Sequence, residues 1–367
     1  MKQYSITFCT VSMNRLHHLK ETVPANLRDN ADYPGARFVL LDYNSGDGMG
    51  NWVQTEMQEH LDSGRLVYYR TEEPEFFNRS HSRNLSFNLA GSDLICNVDA
   101  DNFTGPGFAA YLNEVFNRDR NCIVNFDYKE ETEAYKDAFG RVCVWREDFH
   151  AVGGYDESMS SYGYEDMDLY GRLVKLGRRE EKIDSLEFLR SIAHSDHDRF
   201  SKEYFVNKLS GYYVMYGIGM NRVLFLYNDG SFETGTLRDD EQFYQGLHTI
   251  HEGDWLRGQW QESGGLLRLC FLSGKVRELS SSNGGLSYNL NDEEGRKTFF
   301  RIEDRRFLDK VKAQYSIVTN VSRYKQNIIR QRVRVNEAGY GRGGVYRNFS
   351  SDPLWVQEPQ ETQVIRP

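Results

Sequence analysis

In the stretch LICNVDADN, residues 94–102, an apolar run ends in two carboxylates, Asp99 and Asp101, one residue apart. Like charges this close repel unless something cationic sits between or beside them. Hard divalent cations such as Mn2+ or Mg2+ favour carboxylate oxygens and commonly hold substrate phosphates as well. The pair alone also fits a solvated turn, so its meaning depends on its place in the fold.

Three further stretches carry side chains with chemistry. In NRSHSRNLSFNLA, Asn78, Arg79, Arg83 and Asn84 precede the acid pair near a helix start. The planar fork of arginine suits phosphate, and the same residues also fit a solvated helix face. In YGYEDMD, Glu165, Asp166 and Asp168 open a segment whose leucines, Leu169, Leu173 and Leu176, have helical spacing. Acids are favoured at a helix N-terminus by its dipole. With Tyr162 and Tyr164 ahead of them they also form an aromatic and carboxylate edge of the kind that holds sugars, and a carboxylate there can serve as a general base. In SIAHSDHDRF, His194 and His197 stand among two aspartates; neutral imidazole could complete a metal site begun by Asp101.

The elements that must position these groups follow from periodicity. Tyr4–Thr10, Arg37–Asp42, Leu66–Arg70, Asp93–Val98 and Cys122–Phe126 read as strands. Leu16–Leu27, Trp52–Leu61, Asn78–Ala90 and Gly107–Phe116 read as helices between them. This alternation predicts an α/β fold, a mostly parallel sheet with helices on both faces. Ligands then bind beyond the carboxyl ends of the strands. Ser12, Asn14 and Arg15, then Asp42, Asn44 and Ser45, then Asp99 and Asp101 stand at those ends. Ser185–Ile192 reads as a strand, Tyr204–Met220 as a helix, and residues 305–335 as helical and basic. Between the last two, Val223–Tyr227, Leu266–Leu272, Leu286–Leu290 and Thr298–Ile302 read as strands. Asp229-Gly230 and Ser273-Gly274 are hairpin-type turns. A faint similarity links VLFLYNDGSFETG with LLRLCFLSGKVREL.

Together these stretches resemble the GT-A nucleotide-sugar glycosyltransferases, family 2 enzymes and the catalytic core of β-1,4-galactosyltransferases, over about residues 4–200. TFCTVSMNRLHHLK is similar to the family's first strand and Pro-x-x-Asn-Arg turn, with Val11 in place of the proline and Asn14 and Arg15 matching. FVLLDYNSGDG resembles the uridine-binding second strand. FNRSHSRNLSFNLA resembles the Asn-Arg helix, VDAD the Asp-Val-Asp motif, and FGRVCVWREDFHAVGGYDE…YGYEDMDLYGRL the strand, turn and acidic helix start that follow. RSIAHS resembles the segment with the metal-binding histidine, with Ser191 where the galactosyltransferases have a methionine.

The resemblance implies an inverting, metal-dependent transfer of a sugar from a UDP-sugar to a hydroxyl acceptor, such as a glycan. It implies Mn2+ or Mg2+ held by Asp101 and His194, with Asp99 and His197 as further candidates. It implies donor contacts from Val11, Ser12, Asn14, Arg15, Asp42, Asn44, Arg79, Arg83 and Asp99. Asp166 would be the base, Glu165 would hold the acceptor, and Tyr162 or Tyr164 would stand for the family's tryptophan platform. Two other functions are weighed against it. A sugar nucleotidyltransferase would carry a Gly-rich phosphate loop after the first strand, and CTVSMNR has no glycine. A noncatalytic carbohydrate-binding protein would use the C-terminal β region as a lectin-like module.

The remaining composition bounds the setting. The chain of 367 residues suggests one large or two ordinary domains. The expected division is a GT-A domain at 1–200, a helix plus β-rich domain at 201–335 and a flexible Gly-rich tail at 336–367. A formal net charge of -9 argues against nonspecific binding of nucleic acid, which needs a basic surface. Five cysteines without paired spacing read as reduced thiols. No apolar run is long enough to span a membrane, and the expected location is the cytoplasm.

Overall fold

The computed structural model describes residues 1–126, 137–193, 207–218, 220–238, 255–282, 284–289 and 296–356. They form two compact units. One joins Met1–His194 to Arg323–Pro367, and the other is Ser195–Ser322.

The first unit is built on a nine-stranded sheet. Its strands are β1 (Ile6–Ser12), β2 (Ala36–Tyr43), β3 (Leu66–Thr71), β4 (Leu94–Asn97), β5 (Cys122–Asn125), β6 (Val142–Trp145) and β7 (Arg179–Lys182). From the C-terminal segment come β16 (Gly343–Arg347) and β17 (Pro353–Val356). The order is β17-β16-β3-β2-β1-β4-β6-β5-β7. Only β6 and β16 run against the other seven strands. The mostly parallel sheet expected from the sequence is therefore present.

Alternation along the strands explains the two covered faces. Phe8, Leu40, Leu94 and Cys96 pack with Leu19, Val23 and Leu27 of helix α1 (Leu16–Asp29), Trp52 and Val53 of α2 (Met49–Glu56), and Leu112 and Phe116 of α5 (Phe108–Arg118). Their neighbours Cys9, Leu41, Ile95 and Val144 face the other way. They meet Leu85 and Phe87 of α4 (Arg79–Asn88), Phe149 of α6 (Arg146–Ala151), and Leu169 and Leu173 of α7 (Glu165–Lys175). Side chains alternate sides with period two, so a sheet buried on both faces needs continuous apolar runs such as FVLL and LIC. The helix expected over Trp52–Leu61 breaks at Met57 into α2 and a short α3 (Gln58–Asp62).

The second unit holds a closed eight-stranded barrel. Its strands are β8 (Leu209–Met215), β9 (Met220–Tyr227), β10 (Ser231–Arg238), β11 (Leu256–Ser263), β12 (Leu266–Phe271), β13 (Val276–Ser282), β14 (Gly285–Asn289) and β15 (Arg296–Arg301). Eight strands leave an interior just wide enough to fill with side chains, and Leu224, Leu226, Phe232, Leu269, Leu279 and Phe299 are among those that fill it. The two similar sequence segments are the β9–β10 and β12–β13 hairpins of this barrel. Helix α8 (Arg305–Ile329) follows in the chain, and its residues from Arg323 onward belong to the first unit.

Three expectations are corrected. Tyr204–Met220 is mostly not a helix where it is described: after the helical Asn207 and Lys208, Leu209–Met215 is strand β8, because Gly211 and Gly217 weaken a helix while Tyr212, Tyr213 and Val214 favour a strand. Ser185–Ile192 is a single 3-10 turn, Leu186–Leu189, followed by one bridge from Ser191 to Asn102. The segment 336–356 is not a flexible tail. Val345 and Val356 are buried in the sheet's core, Tyr346 pairs with Arg70, and the Asn348 side chain accepts the Tyr68 N–H at 2.9 Å. The glycines that suggested looseness sit at the start of β16, beside that buried pattern.

Among the described residues, Cys9, Cys96, Cys122 and Cys143 are buried free thiols and Cys270 is half-buried. No described helix is long and apolar enough to cross a membrane.

Candidate active site

The chain runs outward from β1 to β2 and β3, then returns to place β4 on the other side of β1. This reversal opens a crevice at the carboxyl ends of β1 and β4, the usual ligand position in such sheets. Ser12 ends β1, and Asp99 and Asp101 follow β4 directly.

The centre of the site is Arg83, on the inward face of α4. Its Nη2 donates to Asp99 Oδ1 at 2.9 Å, and its Nη1 donates to Asp166 Oδ1 at 2.9 Å and to Glu165 Oε1 at 3.4 Å. The Arg83 side chain is 6% exposed. One buried guanidinium thus gathers three carboxylates from the end of β4 and the start of α7. Arg83 was expected to face the donor; its bonds go instead to these acids, whose burial demands a cation.

Each acid feels this differently. For Asp99, burial pushes the carboxyl up, but Arg83, the amide of Asn97 and the charge of Arg79 outweigh it and hold the group below its ordinary value. For Asp166, burial is the largest cause and raises the carboxyl to about 7; Arg83 pulls it down, while Glu165 and Asp99 push it up. Glu165 Oε2 is buried and has no hydrogen-bond partner. A buried carboxylate oxygen left unpaired is costly.

Gly140 closes the back of this cluster. Its carbonyl accepts from Asn97 Nδ2 at 2.9 Å, and the same amide reaches Asp99 Oδ1 at 3.0 Å. A Cβ on Gly140 would lie 2.6 Å from Asp99 Oδ2 and 2.8 Å from Arg83 Nη2. Only glycine admits the acids and the arginine this closely.

An aromatic edge borders the acids. Tyr164 caps α7 in the left-handed region, φ 67°, a conformation uncommon for a large side chain. Its ring lies 5.4 Å from that of Tyr324, near the end of α8. The Tyr162 ring lies under the Arg79 guanidinium at 4.6 Å. Asp168 belongs to a different network: it pairs with Arg172 at 2.7 Å and accepts from Asn327 at 2.9 Å, so it anchors α7 to the returning helix.

The loops after β1 and β2 interlock. Asn14 and Asn44 both take positive φ, 58°. The Asn14 N–H donates to Ser45 Oγ at 3.0 Å, and Asn14 Oδ1 accepts the Gly46 N–H at 2.7 Å. Arg15 is half-buried just before α1. Ser12 Oγ is buried without a partner. Two residues expected at the donor have buried side chains. Val11 packs its side chain into the core, so only its backbone can serve. Asp42 is fully buried, bonded by the Ser45 N–H at 2.7 Å and the Tyr68 hydroxyl at 2.7 Å. Asn44 Nδ2 donates to the Pro74 carbonyl at 2.9 Å.

For a metal, Asp99 and Asp101 are the described donors. Both hydrogen bonds to the Asp99 carboxylate fall on Oδ1, which leaves Oδ2. Asp101 Oδ1 accepts from Asn102 Nδ2 at 2.9 Å. Among the described residues no three His, Cys, Asp or Glu side chains cluster as a metal cage. A cation held jointly with a diphosphate takes only one or two protein carboxylates, and this donor set of hard oxygens fits that case. The Ile192 N–H donates to the Asp101 carbonyl at 2.8 Å, so the chain leading to His194 passes beside Asp101. His194 and His197 themselves lie outside the described residues.

Residues 120–197 match the family model described as the N-terminal domain of galactosyltransferase. This part of the chain is similar to a glycosyltransferase domain. The match takes in Gly140, Glu165 and Asp166, while Arg83, Asp99 and Asp101 precede it. Chondroitin sulfate synthase 3 from Mus musculus is 34% identical over 56 residues, 15% of this chain and 6% of that protein. Mannosyltransferase PcManGT from Pyrobaculum calidifontis, solved with GDP-Man and Mn2+, is similar with a TM-score of 0.44 and 17% identity over 56% of this chain and 64% of its own. S. aureus TarS 1–349 is similar with a TM-score of 0.41 and 11% identity over 55% of this chain and 64% of its own. The chain thus spans a small part of the curated relative and somewhat under two thirds of these solved chains.

Sequence reasoning missed Asn97, Asn102, Gly140, Arg141 and Tyr324. Gly140 and Arg141 were legible only as part of the strand FGRVCVW, and Tyr324 only as part of a basic helix.

Proposed function

We propose that the chain is an inverting glycosyltransferase that moves a sugar from a UDP-sugar to a hydroxyl of a glycan acceptor, with Mn2+ or Mg2+. The observation that carries this is Asp166, a buried carboxyl raised to about 7, bridged by Arg83 to Asp99 after β4 and lying within the stretch that matches the galactosyltransferase model. A general base works best when its pKa lies near the operating pH. Asp166 accepts the acceptor's proton while that hydroxyl attacks the anomeric carbon from the face opposite the leaving UDP, which inverts the centre. Glu165 Oε2 accepts from a second acceptor hydroxyl and fixes the sugar's rotation. Tyr162, Tyr164 and Tyr324 offer ring faces to the acceptor.

Asp101, with Asp99 Oδ2, would hold the divalent cation, which neutralises charge on the departing diphosphate. The Asn14–Arg15 turn and Arg79 stand on the donor side of the crevice. The turn after β1 has no glycine, which disfavours the phosphate loop of a nucleotidyltransferase. A screen of UDP-sugars, scored as UDP release with and without Mn2+, tests the reading. Metal-stimulated release from at least one donor is expected, and no release from any donor would contradict it.

A further inference from the structure

Arg141, between Gly140 and β6, is 1% exposed. Burial disfavours its charge, and the nearby carboxylates of Asp99 and Asp101 only partly offset this. Nη2 donates to Asn102 Oδ1 at 3.0 Å, and the guanidinium stands 5.6 Å from the Phe108 ring. Nε and Nη1 have no hydrogen-bond partner. A buried charge is costly unless it is paired and hydrogen-bonded, so the one hydrogen bond that Arg141 makes, to Asn102, is the feature to explain.

That bond decides how Asn102 points. The two ends of an amide have nearly the same shape, and neighbours choose between them. Arg141 can only donate, so Oδ1 must face it. Nδ2 is thereby turned to Asp101 Oδ1 at 2.9 Å and to the Asp137 carbonyl at 3.1 Å. The reverse orientation would set the amide oxygen against the Asp101 carboxylate. The backbone here is fixed independently. The Asn102 N–H donates to the Asp99 carbonyl at 2.9 Å, the Asn102 carbonyl accepts from Asn26 Nδ2 at 3.0 Å, and the Asp101 carbonyl accepts from Ile192.

We infer that Arg141 and Asn102 form a relay that sets the rotamer of Asp101, making both of them positioning residues for a divalent cation at that carboxylate. The inference rests on the metal-dependent reading above. Neither residue touches the cation. They hold one oxygen of Asp101 in place so that the carboxylate meets the ion without reorganising, as outer residues do around other metal sites.

The test titrates Mn2+ into the full chain with saturating UDP and follows free Mn2+ by electron paramagnetic resonance. Arg141→Met and Asn102→Ala are each expected to weaken Mn2+ binding about tenfold or more. The double variant should be no weaker than the worse single, because both act through one path. Arg141→Lys keeps a donor for Asn102 and should recover most of the loss, which also serves if Arg141→Met does not fold. Unchanged or tighter Mn2+ binding in Arg141→Met, additive losses in the double variant, or no recovery with lysine would overturn the relay. A wild-type chain that takes up no Mn2+ would overturn the metal reading itself, a result distinct from wild-type uptake with unaffected variants.

Discussion

Arg83 donates to Asp99 and to Asp166 at the same distance, 2.9 Å, and so ties the end of β4 to the start of α7. The crevice acids are therefore set by the protein's own cation. Breaking a buried ion pair by removing one partner leaves charge uncompensated, at a cost of about 3–5 kcal/mol. Arg83→Met is expected to lose stability of that order in urea denaturation at pH 7.5, and to lose less at pH 5, where Asp166 is protonated.

The Asp166 carboxyl, raised to about 7, gives two pH signatures of opposite use. The base acts as the carboxylate, so turnover should climb with pH through about 7 and level off above. Stability runs the other way. The folded pKa lies above the ordinary aspartate value of about 3.9, so the contribution of Asp166 is full below that value and is lost as pH rises through about 7. Asp166→Asn lacks this loss. Its melting temperature relative to wild type should rise between pH 5 and pH 8.5, and a flat difference would count against the raised carboxyl.

Tyr324 is 160 residues further along the chain than Tyr164, yet their rings lie 5.4 Å apart at the start of α7. A stacked ring is worth about 0.5–1.5 kcal/mol beyond its area. Tyr324→Ala should raise the acceptor KM about twofold to tenfold and leave the donor KM and acceptor-independent hydrolysis of the UDP-sugar near normal. An effect confined to the donor would place the acceptor elsewhere.

What was legible in the sequence follows from locality. Asp99 and Asp101 stood out because an apolar run of strand length delivered them to a strand end. Glu165 and Asp166 stood out because helical spacing began just after them. The meaning of Arg83 was not legible: nothing local distinguishes an arginine that grips phosphate from one that clamps acids 16 and 83 residues away. Gly140 was silent for a similar reason, since its role is the space it leaves for Asp99 and Arg83. The strand pairing of Tyr346 with Arg70 was hidden by glycines whose composition suggests a loose tail.

The most direct measurement is the turnover of Asp166→Asn with its UDP affinity measured alongside. Asparagine keeps the shape and removes the base. UDP binding in the presence of Mn2+ should stay within about twofold of wild type, while kcat falls by about 10²–10⁴-fold, the usual contribution of a positioned base. Near-normal turnover in this variant would contradict the assignment of Asp166 and the mechanism built on it.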